Sequence, residues 1–251
     1  MDITDAGQVW EVIRDVRPEV IIHGAAMTQV DDCEIRREEC WAANVTATAN
    51  VLEAARKVDA HVIFVSTDFI FDGTRTLLDE SAEPAPVNFY GESKAAAEKL
   101  VMAYPGKWSI LRTVLVYGVT TDASRSNIVL WARKSLEEGK EIRVVNDQWR
   151  TPTLAEDLAS GCLAAAEHTA TGVFHVSGSE LMTPYDIAVA VALFFHLDDG
   201  LIKPVTSQEF RQTAARPLKT GFNIEKARKT WGYRPRRFEE GLRIVSAQLG
   251  D

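Results

Sequence analysis

The segment His61-Val62-Ile63-Phe64-Val65-Ser66-Thr67-Asp68 decides the fold of this chain. Its first five residues form a short, largely apolar run with β-branched side chains, which predicts a strand buried in a parallel sheet. Ser66, Thr67 and Asp68 follow directly and come just past the carboxyl end of that strand. In open α/β sheets ligands bind at this end. The segment therefore predicts an α/β fold with a functional site around these three polar residues.

A second segment, Tyr90-Gly91-Glu92-Ser93-Lys94, brings a phenol and an ammonium to the same site. If it begins a helix, Tyr90 and Lys94 lie one turn apart on one face. A free phenol with a pKa of about 10 is a poor acid or base at neutral pH, and a nearby cation lowers that pKa. The pattern predicts the proton-delivery apparatus of a carbonyl reductase, in which Tyr90 protonates the carbonyl oxygen while a nicotinamide delivers hydride. An exposed pair on an amphipathic helix is the alternative.

Helical and strand patterns alternate along the chain and end at turn residues. In the first half, helices are predicted at 5–16, 38–57 and 91–104, and strands at 20–23, 61–65 and 108–113. In the second half, helices are predicted at 126–138, 154–168, 183–195, 223–230 and 238–248, with strands at 142–145 and 173–176. This order implies βαβ units with right-handed crossovers and a parallel sheet.

Nine motifs occur in one order along nearly the whole chain. They are Arg17-Pro18-Glu19-Val20-Ile21-Ile22-His23-Gly24-Ala25-Ala26, Asn44-Val45, Ser66-Thr67-Asp68-Phe69-Ile70-Phe71-Asp72-Gly73, Tyr90-Gly91-Glu92-Ser93-Lys94, Leu111-Arg112-Thr113, Val116-Tyr117-Gly118, Asp147-Gln148, Thr151-Pro152-Thr153 and Arg216-Pro217. Together they resemble the extended short-chain dehydrogenases/reductases, and within them the dTDP-4-dehydrorhamnose reductase-like, or sugar-nucleotide reductase, group. The resemblance implies a Rossmann-like, doubly wound parallel sheet with a smaller C-terminal α/β lobe. Residues 1–120 would be the NAD(P)-binding domain, and 121–251 mainly a substrate-binding lobe interleaved with the end of the sheet.

The same resemblance implies roles for individual residues and a cofactor, NADP or NAD. The residues that match catalytic positions are Tyr90, Lys94 and Thr67, with Ser66 as an alternative to Thr67 for holding the substrate carbonyl. The residues that match cofactor-binding positions, besides Tyr90 and Lys94, are Ala25, Ala26, Met27, Asn44 and Thr113. Asp68 matches a substrate-side position, and Arg150 and Arg216 are assigned to a substrate diphosphate because a guanidinium group suits it. Purely structural alternatives are a turn cap for Asp68, a buried polar group for Asn44, a solvated strand end for Thr113 and surface solvation for the arginines.

The start of the sequence differs from the family pattern. Such a fold begins with a strand, a glycine-rich turn and a helix whose amino end receives the pyrophosphate. Here Met1-Asp2-Ile3-Thr4-Asp5 resembles the family's stretch before the helix that leads to its fourth strand. We therefore expect a truncated form of a longer reductase that lacks the amino-terminal strands, or a chain whose edge another chain covers. The strand at 20–23 is then expected to be an edge that invites pairing.

Composition narrows the class of protein. The 251 residues carry a formal net charge of -8 and a pI of about 5.3, which argues against nucleic acid or an anionic membrane surface as a partner. The longest apolar stretch, 187–195, is too short to cross a bilayer. Three cysteines form no Cys-x-x-Cys pair and five histidines are scattered. We expect a cytoplasmic protein with reduced thiols, no metal, a sugar-nucleotide substrate and no membrane or nucleic-acid partner; a homo-oligomer is compatible with these features.

Two departures from the group's pattern leave the substrate open. Leu115 stands where a tryptophan is usual, and Trp149-Arg150 stands where a glycine usually precedes Pro-Thr. The first hypothesis is NAD(P)H-dependent reduction of a 4-keto sugar nucleotide, which Thr67, Tyr90 and Lys94 favour. The second is a non-catalytic NADP-binding or regulatory subunit similar to the methionine adenosyltransferase β subunit, which the lack of a glycine-rich turn favours. A sugar-nucleotide epimerase or dehydratase of the same superfamily is the third.

Overall fold

The computed structural model describes residues 1–120, 127–210 and 212–250. Its first half alternates helices and strands. In chain order these are α1 (Ala6–Val16), β1 (Val20–His23), α2 (Val30–Ile35), α3 (Arg37–Trp41), a π-helical turn (Ala42–Thr46), α4 (Ala47–Val58), β2 (His61–Thr67), a 3-10 turn (Asp68–Ile70), α5 (Phe89–Met102) and β3 (Trp108–Thr113). Asp5 caps α1 by accepting hydrogen bonds from the Gly7 and Gln8 amides, which satisfies amide donors that the first helical turn leaves free.

In the described part of the second half, short strands and five α-helices follow. In chain order these are β4 (Val116–Tyr117), α6 (Ile128–Glu137), β5 (Ile142–Val145), β6 (Thr153–Leu154), α7 (Ala155–Glu167), β7 (Gly172–His175), α8 (Pro184–Phe194), β8 (Ile202–Val205), α9 (Glu225–Trp231) and α10 (Phe238–Leu249). Thr183 and Asp186 form a capping box at the start of α8, with Pro184 in its first turn, as expected for a strong helix start.

The main sheet has four parallel strands in the order β1-β2-β3-β7. The apolar side chains of β2 alternate between its two faces. Val62 and Phe64 pack towards α4 and α5 on one face, and Ile63 packs towards α7 on the other. Because helices cover both faces, the strand is buried on both sides. The sequence prediction of a doubly wound, Rossmann-like α/β fold is therefore confirmed.

A second apolar core lies among the C-terminal elements. It joins α6, α8 and α10 with the two-stranded pairs β4-β6 and β5-β8, and fully buried side chains such as Val129, Ile187, Val191 and Leu242 fill it. The strand β7 comes from this half of the sequence but pairs with β3 in the main sheet. In sequence order, β7 of the main sheet therefore lies between α7 and the elements α8 and β8 of the second core.

Several local features differ from the sequence prediction. The long helix predicted at 38–57 is interrupted by the π-helical turn Ala42–Thr46, and α2, β4, β6 and β8 were not predicted. α2 has only six residues, too few to show a helical period. β8 contains Pro204, and proline within a run argues against a strand except at an edge. The first residue of the helix predicted at 126–138, Ser126, lies outside the described residues.

The strand β1 forms one border of the main sheet. Over the ranges 1–120, 127–210 and 212–250, β1 pairs only with β2, and the Ile22 side chain is 46% exposed. This position agrees with the edge strand expected from the sequence. In the same ranges no helix combines the length and apolar character that a bilayer span requires.

Candidate active site

The amino end of α5 packs directly against the turn that follows β2. Asn88 caps the helix by accepting a hydrogen bond from the Gly91 amide at 2.8 Å. A Cβ atom at Gly91 would stand 2.1 Å from the carbonyl oxygen of Phe69, so the close approach requires glycine at this position. This contact brings Tyr90 beside the carboxyl end of β2.

Tyr90 is enclosed at this junction. Its side chain is 8% exposed, and its ring meets Phe69 edge to face with centroids 5.7 Å apart. Burial raises the pKa of the Tyr90 phenol above its usual range, while a hydrogen bond with Thr67 acts in the opposite direction. The sequence argument expected a nearby cation to lower this pKa. In this structure desolvation outweighs such effects, and the phenol keeps its proton at neutral pH.

Lys94 lies one helical turn after Tyr90, as the spacing predicted. Its Nζ donates to the carbonyl of Val65 at 2.8 Å and lies 3.9 Å from the centroid of the Phe64 ring. Burial lowers the pKa of Lys94 to about 7, although Glu98 acts in the opposite direction. The ammonium is therefore poised between its two protonation states near neutral pH, with one hydrogen bond to the strand that carries Ser66 and Thr67.

The two candidate hydroxyls at the end of β2 differ in their partners. The Thr67 hydroxyl accepts from the Phe69 amide and donates to Asp68 Oδ1, each at 3.2 Å. The Ser66 Oγ is buried and has no hydrogen-bond partner among the described residues. Thr113 is the register partner of Thr67 on β3, so both strand ends lie side by side. Thr67 is the hydroxyl that interacts with Tyr90.

Asn44 braces the backbone beyond β1. Its Oδ1 accepts from the Met27 amide at 2.8 Å, and its Nδ2 donates to the Met27 carbonyl at 3.1 Å and to Ser93 Oγ at 2.9 Å. Asn44 lies in the π-helical turn, and such turns are frequent at functional sites. These bonds fix Met27, and with it the partly exposed segment Ala25–Ala26, relative to α5. The segment, Lys94 and Thr113 could together line one side of a bound dinucleotide.

Asp68 and Arg150 are buried against each other rather than free in a cleft. Arg150 Nε lies 3.5 Å from Asp68 Oδ2, and Thr220 also donates to this carboxylate. Other nitrogens of the Arg150 guanidinium donate to the carbonyls of Trp149 at 2.8 Å and Pro217 at 2.6 Å. Burial raises the pKa of Asp68, with Arg150 as the main opposing influence. The hydrogen-bonding capacity of both groups is thus largely used within the protein.

Arg216 is also paired. Its Nη1 and Nη2 contact the two oxygens of Asp31 at 3.0 and 2.7 Å, and Asp31 accepts a further bond from the Ala214 amide. This bidentate pair ties the segment around Arg216 to α2. The structure brings Arg150 and Arg216 to one cavity, and the other predicted site residues, including Thr67, Tyr90 and Lys94, lie outside the lining of that cavity.

The cavity has a volume of about 460 Å³ and a mostly apolar wall. Phe69, which contacts Tyr90, joins it to the reductase-like residues. The other lining residues are Leu115, Asn127, Ile128, Trp131, Arg143, Val144, Val145, Gln148, Arg150, Pro184, Phe210, Gln212 and Arg216. Neither Arg143 nor Trp131 was among the site residues predicted from the sequence. The Gln148 Nε2 is buried without a partner in the described part of the chain, a signal that only the structure supplies.

A parallel sheet with Tyr90 and Lys94 on one helix beside the carboxyl end of β2 defines a protein of the short-chain dehydrogenase/reductase class. The chain belongs to the RmlD substrate binding domain family, whose model matches residues 1–250. It is similar to the dTDP-4-dehydrorhamnose reductase of Bacillus anthracis solved in complex with NADP, with a TM-score of 0.93 and 32% identity over 99% of this chain and 87% of that one.

Relatives of this chain have names that indicate two different functions. The chain is 32% identical to methionine adenosyltransferase 2 subunit beta of Xenopus tropicalis over 91% of this chain and 70% of that protein. It is 30% identical to the probable low-salt glycan biosynthesis reductase Agl14 of Haloferax volcanii over 100% of this chain and 84% of that protein. The family is therefore shared by proteins named as reductases and by proteins named as subunits of another enzyme.

Proposed function

We propose that this protein catalyses the NAD(P)H-dependent reduction of the 4-keto group of a sugar nucleotide. The observation that carries the proposal is the meeting of Thr67, Tyr90 and Lys94 at the carboxyl end of β2. A hydroxyl, a protonated phenol and a titratable ammonium there can serve one carbonyl oxygen. The similarity to a dTDP-4-dehydrorhamnose reductase with NADP supports the same reaction class and cofactor.

Each side chain has a separate role at the substrate carbonyl oxygen. The Thr67 hydroxyl holds that oxygen, with Ser66 as the alternative donor. Tyr90 transfers its phenolic proton to the same oxygen as negative charge develops there, and a charged Lys94 stabilises the phenolate that is left. When bound, a reduced nicotinamide supplies the hydride that the carbonyl carbon receives. Because burial keeps the Tyr90 phenol protonated at neutral pH, the proton donor is in its acid form before the substrate binds.

The residues around β1 and α5 fit a dinucleotide. The backbone of Ala25–Met27 is partly exposed at the end of β1, and Asn44 fixes it through both the amide and the carbonyl of Met27. Lys94 uses one donor on Val65 and has further protons for ribose hydroxyls. Thr113 borders the same edge. We assign these residues to NADP or NAD.

The cavity fits the sugar-nucleotide. Its apolar wall, with Trp131 and Leu115, suits a base and a deoxysugar, and the exposed Arg143 favours an anionic substrate. Because Arg150 and Arg216 are paired with Asp68 and Asp31, we assign Asp68, Arg150 and Arg216 to shaping the substrate side of the site. We further infer that 1–120 form the cofactor domain and 121–251 mainly the substrate lobe, and that the protein is cytoplasmic, which its three free cysteines support.

The test is a turnover assay. The purified protein is incubated with NADPH and a panel of 4-keto sugar nucleotides that differ in base and sugar, and the loss of NADPH absorbance and the reduced sugar are both measured. We expect substrate-dependent oxidation with at least one nucleotide and none with Tyr90→Phe. Absence of turnover across the panel, with NADPH shown to bind, would overturn the proposal.

A second candidate is a non-catalytic subunit. The 32% identity to methionine adenosyltransferase 2 subunit beta over 91% of this chain favours it. If it holds, the protein turns over no sugar nucleotide but forms a complex with a methionine adenosyltransferase of its own organism. Size-exclusion chromatography of the two purified proteins together, with light scattering, separates the candidates.

A further inference from the structure

Two cysteines that the proposed reaction does not use lie against the candidate active site. Cys33 on α2 and Cys40 on α3 are both fully buried, and they share one apolar cluster with Tyr90. Arg36 separates the two short helices with a backbone conformation of φ -109° and ψ 58°. With this break between α2 and α3, both thiols pack into the same cluster although no Cys-x-x-Cys motif links them.

The contacts of the two thiols are specific. Both thiols belong to one buried cluster, and Met27 and Asn44 connect them through hydrogen bonds. Cys33 Sγ donates to the Met27 carbonyl at 3.4 Å, while Cys40 Sγ lies 3.5 Å from Ser93 Oγ and accepts from Asn44 Nδ2 at 3.4 Å. The pair therefore sits in the network that fixes Met27 and α5 to each other.

The environment makes the two thiols unequal. The neighbouring Cys33 thiol lowers the pKa of the Cys40 thiol despite the opposing effect of burial. The neighbouring Cys40 thiol and burial raise the pKa of the Cys33 thiol. A thiol with a lowered pKa reacts first with an oxidant, and an adjacent second thiol resolves the product. Cys162, the third cysteine, lies in a different apolar cluster, and burial raises its pKa to about 11.

We propose that Cys33 and Cys40 form an oxidative modification site, at which hydrogen peroxide converts the buried dithiol into an intramolecular disulfide. The Cys40 thiolate attacks one peroxide oxygen, the O–O bond breaks, and water leaves after the released hydroxide takes a proton. Cys33 then attacks the sulfur of the Cys40 sulfenic acid, the S–S bond forms, the S–O bond breaks, and a second water carries away the Cys33 proton. The two sulfurs lose two electrons and the peroxide gains them.

Disulfide formation alters the bonds that hold the site. The Cys33 thiol no longer donates to the Met27 carbonyl, and the Cys40 thiol no longer donates to Ser93 Oγ. Ser93 also accepts from Asn44, which fixes Met27, so both changes act on the segment assigned above to the cofactor and this consequence rests on the proposed function. We expect NADPH binding to weaken about tenfold on oxidation, as the loss of one or two hydrogen bonds implies, and to recover when dithiothreitol is added.

Peptide mapping tests the modification without any assay of activity. The folded protein is treated with stoichiometric hydrogen peroxide, alkylated, digested and analysed by mass spectrometry; the urea-unfolded protein serves as the comparison. We expect a Cys33–Cys40 linked peptide from the folded protein, alkylated Cys162 as the internal control, and loss of this selectivity after unfolding. Equal oxidation of all three cysteines, intermolecular linkage, or sulfinic acid at Cys40 without a disulfide would each overturn the proposal.

Two single variants check the roles of the thiols. In Cys33→Ser the resolving thiol is absent, so Cys40 should advance to sulfinic acid and the change should resist dithiothreitol. In Cys40→Ser, Cys33 should stay alkylatable at the same peroxide dose. If Cys33→Ser and wild type give the same reversible product, the assignment is wrong. A protein that forms the disulfide but reduces no sugar nucleotide would contradict the proposed function and leave the modification site standing.

Discussion

The Asp68 carboxylate and the Arg150 guanidinium lie 3.5 Å apart, and both side chains are almost excluded from solvent. The pair joins the turn after β2 to two segments, those around Trp149 and Pro217, whose carbonyls accept from Arg150. Both residues are assigned above to the substrate side of the proposed site. The ion pair also has a structural role, because it holds one wall of the cavity in position relative to the main sheet.

Arg150→Met should therefore destabilise the fold, since it leaves the Asp68 carboxylate buried without its counter-charge. Breaking a buried ion pair costs about 3–5 kcal/mol, whereas replacing both partners by uncharged groups costs less. Urea unfolding should show that the double variant Asp68→Asn/Arg150→Met recovers part of the lost free energy of unfolding. Arg143→Met, an exposed arginine of the same cavity, is the matched control and should change it by no more than about 0.5 kcal/mol. Additive effects of the two single substitutions would contradict this account.

Lys94→Met should change the pH dependence of stability in a defined window. Because burial lowers the pKa of Lys94 from 10.5 to about 7, the unfolded state binds more protons between these two values. Wild-type stability, relative to Lys94→Met, therefore rises as the pH increases through that window, and the penalty of the buried charge is greatest below it. Urea unfolding of both proteins across the window measures the difference. A difference that is independent of pH would show that Lys94 titrates normally.

Gly91→Ala should destabilise the protein although alanine is the better helix former by about 1 kcal/mol. The added Cβ would stand 2.1 Å from the Phe69 carbonyl oxygen, and overpacking of this kind costs about 1–3 kcal/mol. The melting temperature should fall, and turnover should fall with it because Tyr90 is displaced from Thr67. At Gly24 a Cβ would meet Val65 at 3.9 Å, an ordinary contact, so Gly24→Ala is the control. Equal melting temperatures for both variants would contradict the close approach.

Particular elements show what the sequence could and could not predict. The strands at β1, β3 and β5 have the predicted bounds because turn residues or proline flank short apolar runs. Tyr90 and Lys94 share a helix face because local spacing alone determines it. The Asp68–Arg150 pair and the Cys33–Cys40 contact could not be predicted, since they depend on how distant segments pack. That Gln148 Nε2 is buried without a hydrogen-bond partner among the described residues could likewise not be predicted from the sequence.

Thr67→Val should lower turnover more than Ser66→Ala. The Thr67 hydroxyl interacts with the Tyr90 phenol and with Asp68, whereas the Ser66 Oγ has no partner among the described residues. Steady-state kinetics with the best substrate of the panel should show a fall in kcat for Thr67→Val and unchanged NADPH affinity for both variants. If Ser66→Ala has the larger effect, Ser66 is the hydroxyl that holds the carbonyl.

Tyr90→Phe should reduce kcat by about 10²-fold or more, the scale of general acid catalysis, while NADPH binding changes little. The ring contact with Phe69 survives this substitution, so a loss of fold is not expected, and calorimetric titration with NADPH checks the cofactor site separately. The pH profile of the wild type adds a second readout. Because burial raises the pKa of Tyr90 and lowers that of Lys94 to about 7, turnover should decline on the alkaline side as Lys94 loses its proton, while Tyr90 still carries its own. Wild-type turnover by Tyr90→Phe on a substrate that is reduced would remove Tyr90 from the reaction, and an alkaline limb close to the ordinary pKa of a phenol would assign the limb to Tyr90 instead of Lys94.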